Sequence, residues 1–163
     1  NFSAFQAPSS AGPAHGTPDL QRYRIDARRS RCIDERLWEG PVEFPSVHPA
    51  WTGARHRFTW LQTFPTQTQH PGTMRLDLES GTVTRWNAPM SHLGSEPMFV
   101  PADGTEARGW VLQLHQDPAL QRSYVAVLDA EHIEDGPVAR VWFDQPIPMT
   151  FHGVFVAENG GGR

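Results

Sequence analysis

The sequence contains no lysine. All 14 of its basic residues are Arg, which excludes both a Schiff-base amine and a phosphate-loop lysine from this chain. It has a single cysteine, Cys32, so an internal disulfide and a cysteine-rich metal site are excluded as well. Arginines flank Cys32, but no base or orienting partner adjoins it, and it reads as a small packing residue. No run of about 18 apolar residues occurs, which excludes a transmembrane helix. A basic excess is also lacking, because the formal net charge is −4, and a nucleic-acid binder is expected to present a basic face. The chain opens at Asn1 with neither a charged nor an apolar leader pattern. No targeting signal is read, a cytoplasmic location is expected, and a cut N-terminus is the other reading of the same start.

What the sequence does hold is turn chemistry and aromatic bulk. Its 15 prolines and 14 glycines favour many short elements joined by turns over a helical bundle. Six Trp, two Tyr and nine Phe supply enough apolar surface for a core and argue against disorder. Residues 1–18 read as a loop or cut end, and residues 158–163 as a flexible tail. Between them, strands are expected at 20–26, 55–64, 74–78, 82–86, 97–101, 110–115, 123–129, 138–143 and 154–157. Glu79-Ser80-Gly81 marks the clearest hairpin turn. Residues 27–38 suggest a helical turn, although their charges leave no clean apolar stripe. Antiparallel strands at this spacing, without an amphipathic helix, predict an all-β sandwich, barrel or propeller. Consecutive strand–turn–strand units hint at blades.

Eight histidines stand in the sequence, and none forms a close ligand pair of the H-E-x-x-H kind. His15 lies in the loop-like start, and His115 and His132 are read at strand ends; all three are expected to be solvated or structural. His152 is different. Prolines stiffen its approach, Phe151 and Met149 supply an apolar wall, and Gly153 lets the backbone come close to a neighbour. Neutral imidazole in such surroundings is the metal-binding form, although a satisfied core histidine fits the same pattern. Glu43 and Glu96 both sit among apolar residues, where an unpaired charge is costly. The partner of each is expected to be either an arginine, such as Arg55 or Arg57, or the second ring N–H of a ligand histidine, which a carboxylate holds in one tautomer.

Taken in order, several blocks resemble the later part of the carotenoid cleavage oxygenase family. They are Glu43-Phe44-Pro45, Gly53, His56-Arg57-Phe58, Glu96-Pro97-Met98-Phe99-Val100-Pro101 and Gly109-Trp110-Val111-Leu112. Val127-Leu128-Asp129-Ala130, Pro137-Val138-Ala139-Arg140-Val141 and Phe151-His152-Gly153 continue the series, and the similarity runs from about residue 20 to 156. That family includes carotenoid and apocarotenoid oxygenases, stilbene-cleaving dioxygenases and the retinoid isomerohydrolase. The resemblance implies the last blades of a seven-bladed β-propeller, here residues 19–157, with Fe(2+) on its axis held by four histidines. His152 matches the last of these ligands, and Glu43 and Glu96 match two glutamates that orient ligand imidazoles. Glu96 is expected to orient His152, and Glu43 a ligand outside this chain. Phe151 would line the substrate tunnel.

The activity implied is oxidative cleavage of a conjugated C=C bond by O₂, giving two carbonyl products from an apolar carotenoid or apocarotenoid. A stilbenoid substrate, or a non-catalytic β-rich binding module without metal, are the alternatives. His48, His56, His70 and His92 match no ligand position. The family's acidic cluster before the Gly-Trp pair is replaced here by Thr105-Glu106-Ala107-Arg108. The chain resembles only about the last third of such an enzyme, so alone it is expected to be inactive; contact with a membrane surface is left open.

Overall fold

The computed structural model describes residues 19–156. They form eleven β-strands and two single-turn 3₁₀ segments. Among the described residues no helix is long and apolar enough to cross a membrane. The expectations for residues 1–18 and 158–163 lie outside the described part.

The chain divides after Pro41 into two compact units. The described part of the first is an antiparallel hairpin of β1 (Leu20–Asp26) and β2 (Arg31–Trp38). Asp26 closes its turn by accepting the amides of Arg28 and Arg29, each at 3.1 Å, while pairing with the Arg29 guanidinium at 2.8 Å. The helical turn expected at 27–38 is therefore a turn followed by a strand. The charges that spoil a helical stripe are cross-strand partners instead, with Arg22 meeting Glu35 at 2.6 Å, the opposite-charge pairing that supports a ladder. Cys32 is exposed on β2 rather than packed, correcting that expectation too.

The second unit starts at Val42 and contains two antiparallel sheets. One is the meander β3 (Val42–Ser46), β4 (Phe58–Thr63), β5 (Gly72–Asp77) and β6 (Val83–Asn87). The other comprises β7 (Leu93–Gly94), β8 (Met98–Pro101), β9 (Gly109–Asp117), β10 (Arg122–Asp129) and β11 (Pro137–Trp142). Its order is β11-β10-β9-β7, with β8 also paired to β9. Trp60 of β4 and Phe99 of β8 stack at 4.4 Å between ring centroids. Around them Trp86, Val111, Tyr124, Ala126, Leu128 and Ile133 bury one continuous core. The Trp60 indole N–H reaches the Ala130 carbonyl at 3.2 Å, so the ring's polar edge is satisfied where it is buried.

Polar groups lock the same interior. The Gln62 amide donates to the Gly94 carbonyl at 2.6 Å, and that of Gln113 to the Ser95 carbonyl at 2.7 Å. At the β5–β6 turn, Asp77 accepts the Glu79 amide at 2.9 Å and the Ser80 hydroxyl at 2.8 Å. Arg57 grips the same carboxylate through two nitrogens, at 2.9 and 2.6 Å, and together these contacts hold its pKa far below the usual range.

Strands β3 and β7 were not expected from the sequence, and the strand expected at 154–157 does not form over residues 154–156; Ala157 lies outside the described residues. Residues 154–156 are exposed and, although they run near β8, enter no ladder among the described residues, and a strand requires a partner for its backbone groups.

Candidate functional site

The site is assembled from three loop-like pieces of the second unit. The link between β7 and β8 carries Glu96, the bulged strand β3 carries Phe44, and the segment after β11 carries His152. Pro146 and Pro148 precede the histidine and remove two backbone donors, keeping that segment out of a ladder. Glu96 Oε2 lies 3.3 Å from His152 Nδ1 and accepts the Gly153 amide at 3.2 Å. One carboxylate oxygen therefore holds both the ring and the backbone that follows it. A carboxylate can only accept, so Nδ1 carries the hydrogen, which in the neutral imidazole leaves the lone pair on Nε2. The imidazole side chain is 76% exposed, whereas Glu96 is 22% exposed. Gly153 allows a close pass, because a β-carbon there would stand 2.9 Å from the Met98 sulfur.

Phe44 completes the arrangement. Its ring meets His152 edge-on, with centroids 5.5 Å apart and planes at 89°, and contacts Phe151 at 6.4 Å. It does so from a backbone φ of 53°, a region bulky residues rarely occupy, at a cost of order 1–3 kcal/mol. The strand register breaks at this point, between Glu43 and Ser46. Pro45 follows directly and supplies no donor to restore it.

Glu43 is exposed on β3 and, among the described residues, makes no side-chain hydrogen bond or ion pair. Exposure removes the need for a buried partner that the apolar flanks had suggested. The arginine alternative is overturned for both glutamates: Arg57 pairs with Asp77 and Glu79, Arg55 pairs with Glu79, and Glu96 faces His152 instead. Phe151 is 68% exposed beside the site.

The remaining described histidines are engaged elsewhere. His48 is buried, its Nδ1 accepting the Ala50 amide at 3.1 Å and its Nε2 meeting the Asp103 carbonyl at 3.0 Å. His56 and His70 contact the carbonyls of Ala54 and Ala88. His92 meets the Tyr124 hydroxyl at 2.9 Å and Asp117 at 3.4 Å. His132 is exposed before the 3₁₀ turn Ile133–Asp135. His115 differs from its strand-end expectation: β9 runs on to Asp117 and turns the ring fully inward. There Nε2 donates to Gln113 Oε1 at 2.9 Å, and burial pushes the imidazole pKa down to about 3.

Among the described residues no group of three or more His, Cys, Asp or Glu gathers as a metal-ligand set. The donor chemistry at His152 nevertheless fits one ligand's share of a metal centre: a tied Nδ1, an open Nε2 and solvent access. The sequence singled out His152, Glu96 and Glu43; the structure brings Glu96 to His152 and leaves Glu43 apart, and the contact of Phe44 with the imidazole was missed. Its only local signal is a bulky residue directly before a proline inside a strand.

The antiparallel sheets that carry this imidazole–carboxylate pair are part of a β-propeller, the fold of the solved structures the chain resembles. The family profile described as retinal pigment epithelial membrane protein (RPE65) matches residues 2–157, and the chain belongs to this family, the carotenoid cleavage oxygenases. Relatives include the chloroplastic 9-cis-epoxycarotenoid dioxygenase NCED6 of Arabidopsis thaliana, 30% identical over 96% of this chain and 28% of the relative. The apocarotenoid-15,15'-oxygenase of Synechocystis is 34% identical over 82% of this chain and 28% of its own length. The crystal structure of cobalt-substituted Synechocystis apocarotenoid oxygenase superposes with a TM-score of 0.79 at 29% identity, covering 86% of this chain and 30% of that one. The chain thus spans less than a third of the length of these relatives.

Proposed function

We propose that this chain is part of an iron(II)-dependent dioxygenase that cleaves a conjugated C=C bond of a carotenoid or apocarotenoid. One C=C bond and one O₂ are consumed, and two C=O groups form. The observation that carries the reading is the Glu96–His152 pair, with Nδ1 tied at 3.3 Å and Nε2 open. His152 would hold the metal through Nε2, and Glu43 would orient a ligand imidazole supplied from outside this chain. Iron(II), when bound, supplies the activation of O₂ beside the substrate double bond.

The chain's own residues do the positioning. Glu96 keeps the proton on Nδ1, so the neutral ring presents its lone pair at Nε2. By accepting the Gly153 amide, the same oxygen fixes where the histidine's backbone stands. An open recess of about 430 Å³ adjoins Glu96, with Val47, Pro49, Met98, Phe99, Val154 and Phe155 in its wall. Such a wall suits an apolar polyene and gives water few partners. Phe151 would extend the apolar path on the other side of the imidazole. The names of the relatives support the substrate class, and the cobalt-substituted structure supports a divalent metal.

The test is iron content and O₂-dependent cleavage of an apocarotenoid by the full-length protein. His152→Ala is expected to abolish iron retention and cleavage, and Glu96→Ala to weaken iron binding less. Equal iron content in the wild type and the His152→Ala protein would sink the assignment.

A further inference from the structure

We infer that Phe44 is a positioning residue that sets the plane of the His152 imidazole, and hence the direction of its Nε2 lone pair; this rests on the reading of His152 as a metal ligand. Glu96 fixes one atom of the ring, Nδ1. A single hydrogen bond constrains a point and leaves the ring free to swing about that contact. The histidine is largely exposed, so general packing does not remove this freedom. Among the described residues the aromatic ring that meets the imidazole is that of Phe44, edge-on at 5.5 Å and 89°. Edge-to-face contact with a π-system has a preferred geometry, and it supplies the orientation that the carboxylate cannot. A point and a plane together define where Nε2 aims.

The backbone of Phe44 points to the same conclusion. A phenylalanine at φ 53° with a proline next in sequence is unfavourable twice over. Such conformations persist where the surroundings over-determine them, and they cluster at ligand clamps. Here the bulge between Glu43 and Ser46 breaks the ladder, and the break leaves the Phe44 ring at His152 rather than in the Trp60–Phe99 core. Relaxing the bulge would return the strand to regular alternation and alter the direction of that side chain.

The experiment uses the full-length protein loaded with cobalt(II), whose ligand-field absorption reports ligand geometry without turnover. Phe44→Leu and Phe44→Met both remove the ring at nearly constant bulk, and the Met variant stands in if the Leu variant does not fold. Each is expected to shift or broaden the cobalt spectrum and to weaken metal binding by about tenfold or more, the scale seen for residues supporting a ligand. Phe44→Tyr, which keeps the ring, is expected to restore both. Wild-type spectrum and affinity in the Leu and Met variants would overturn the inference. His152→Ala separates the two claims. If it loses cobalt while the Phe44 variants do not, only the positioning role falls, and if it keeps cobalt unchanged, the ligand reading falls and takes this inference with it.

Discussion

At the residue scale, the most consequential side chain outside the candidate site is His115. Its Nε2 is bonded to Gln113, while its Nδ1 is buried without a partner. Gln113 Oε1 also accepts the Thr73 hydroxyl at 2.8 Å, so the amide cannot easily turn to offer Nδ1 anything. Protonating His115 would bury a charge beside Tyr124, which stacks on it at 5.4 Å, with His92 and Arg140 adding positive field. The folded pKa of about 3 lies below the unfolded value of about 6.5. Between those values the unfolded chain binds a proton that the folded chain does not, so stability falls as pH drops through that window and is unaffected by this group above it. The slope is at most about 1.4 kcal/mol per pH unit. His92 is shifted the same way, first by burial, and adds to the effect. His115→Gln is expected to shrink the loss of stability between about pH 7 and about pH 5, read as urea midpoints of the full-length protein. An identical loss in the variant would assign the acid sensitivity to other groups.

At the element scale, the β5–β6 hairpin depends on Asp77. The carboxylate closes the turn through Glu79 and Ser80 and ties β5 to the start of β4 through Arg57. Asp77→Ala removes several hydrogen bonds to one charged group and is expected to cost about 2–3 kcal/mol near neutral pH. Because the folded pKa is depressed, this contribution is full above the ordinary carboxylate range and fades as pH falls below it. The gap between variant and wild type should therefore narrow in acid, and a gap constant with pH would count against this role. The hairpin was legible in the sequence because Glu79-Ser80-Gly81 states its turn chemistry locally, with Gly81 at a φ of 72°. Strand β1 was legible to the residue. Strand β2 was not, because its charges make sense only against β1, a pairing that single-strand periodicity does not encode. Strand β3 was hidden by Pro45 and the bulge. The site follows the same division. His152, Glu96 and Glu43 were reached through a family pattern that is local in sequence, whereas the Phe44 ring contact comes from a backbone irregularity and could be found only in three dimensions.

At the scale of the whole molecule, the surface left open by these sheets shapes how the chain behaves when made alone. β11 ends its sheet, and it presents Val138 and Val141 at 64% and 55% exposure. The segment after it exposes Phe151, Val154 and Val156 without a strand partner. An apolar strand with an unpaired edge is a template for pairing with another chain, and apolar patches of this kind drive association. The polypeptide expressed by itself is therefore expected to self-associate in a concentration-dependent way and to bind an apolar dye, measured by light scattering and dye fluorescence. Val141→Lys places a charge on that edge, a substitution natural edge strands use against pairing, and should raise the monomer fraction. A monodisperse wild-type chain would mean that the open edge is not adhesive. Association unchanged in Val141→Lys but lost in Phe151→Ser would instead locate the contact at the segment that carries Phe151 and His152. The second outcome bears on function, because the residues proposed to face metal and substrate would then be the ones seeking cover, so their exposure in the isolated chain and their role in the complete enzyme would have one cause.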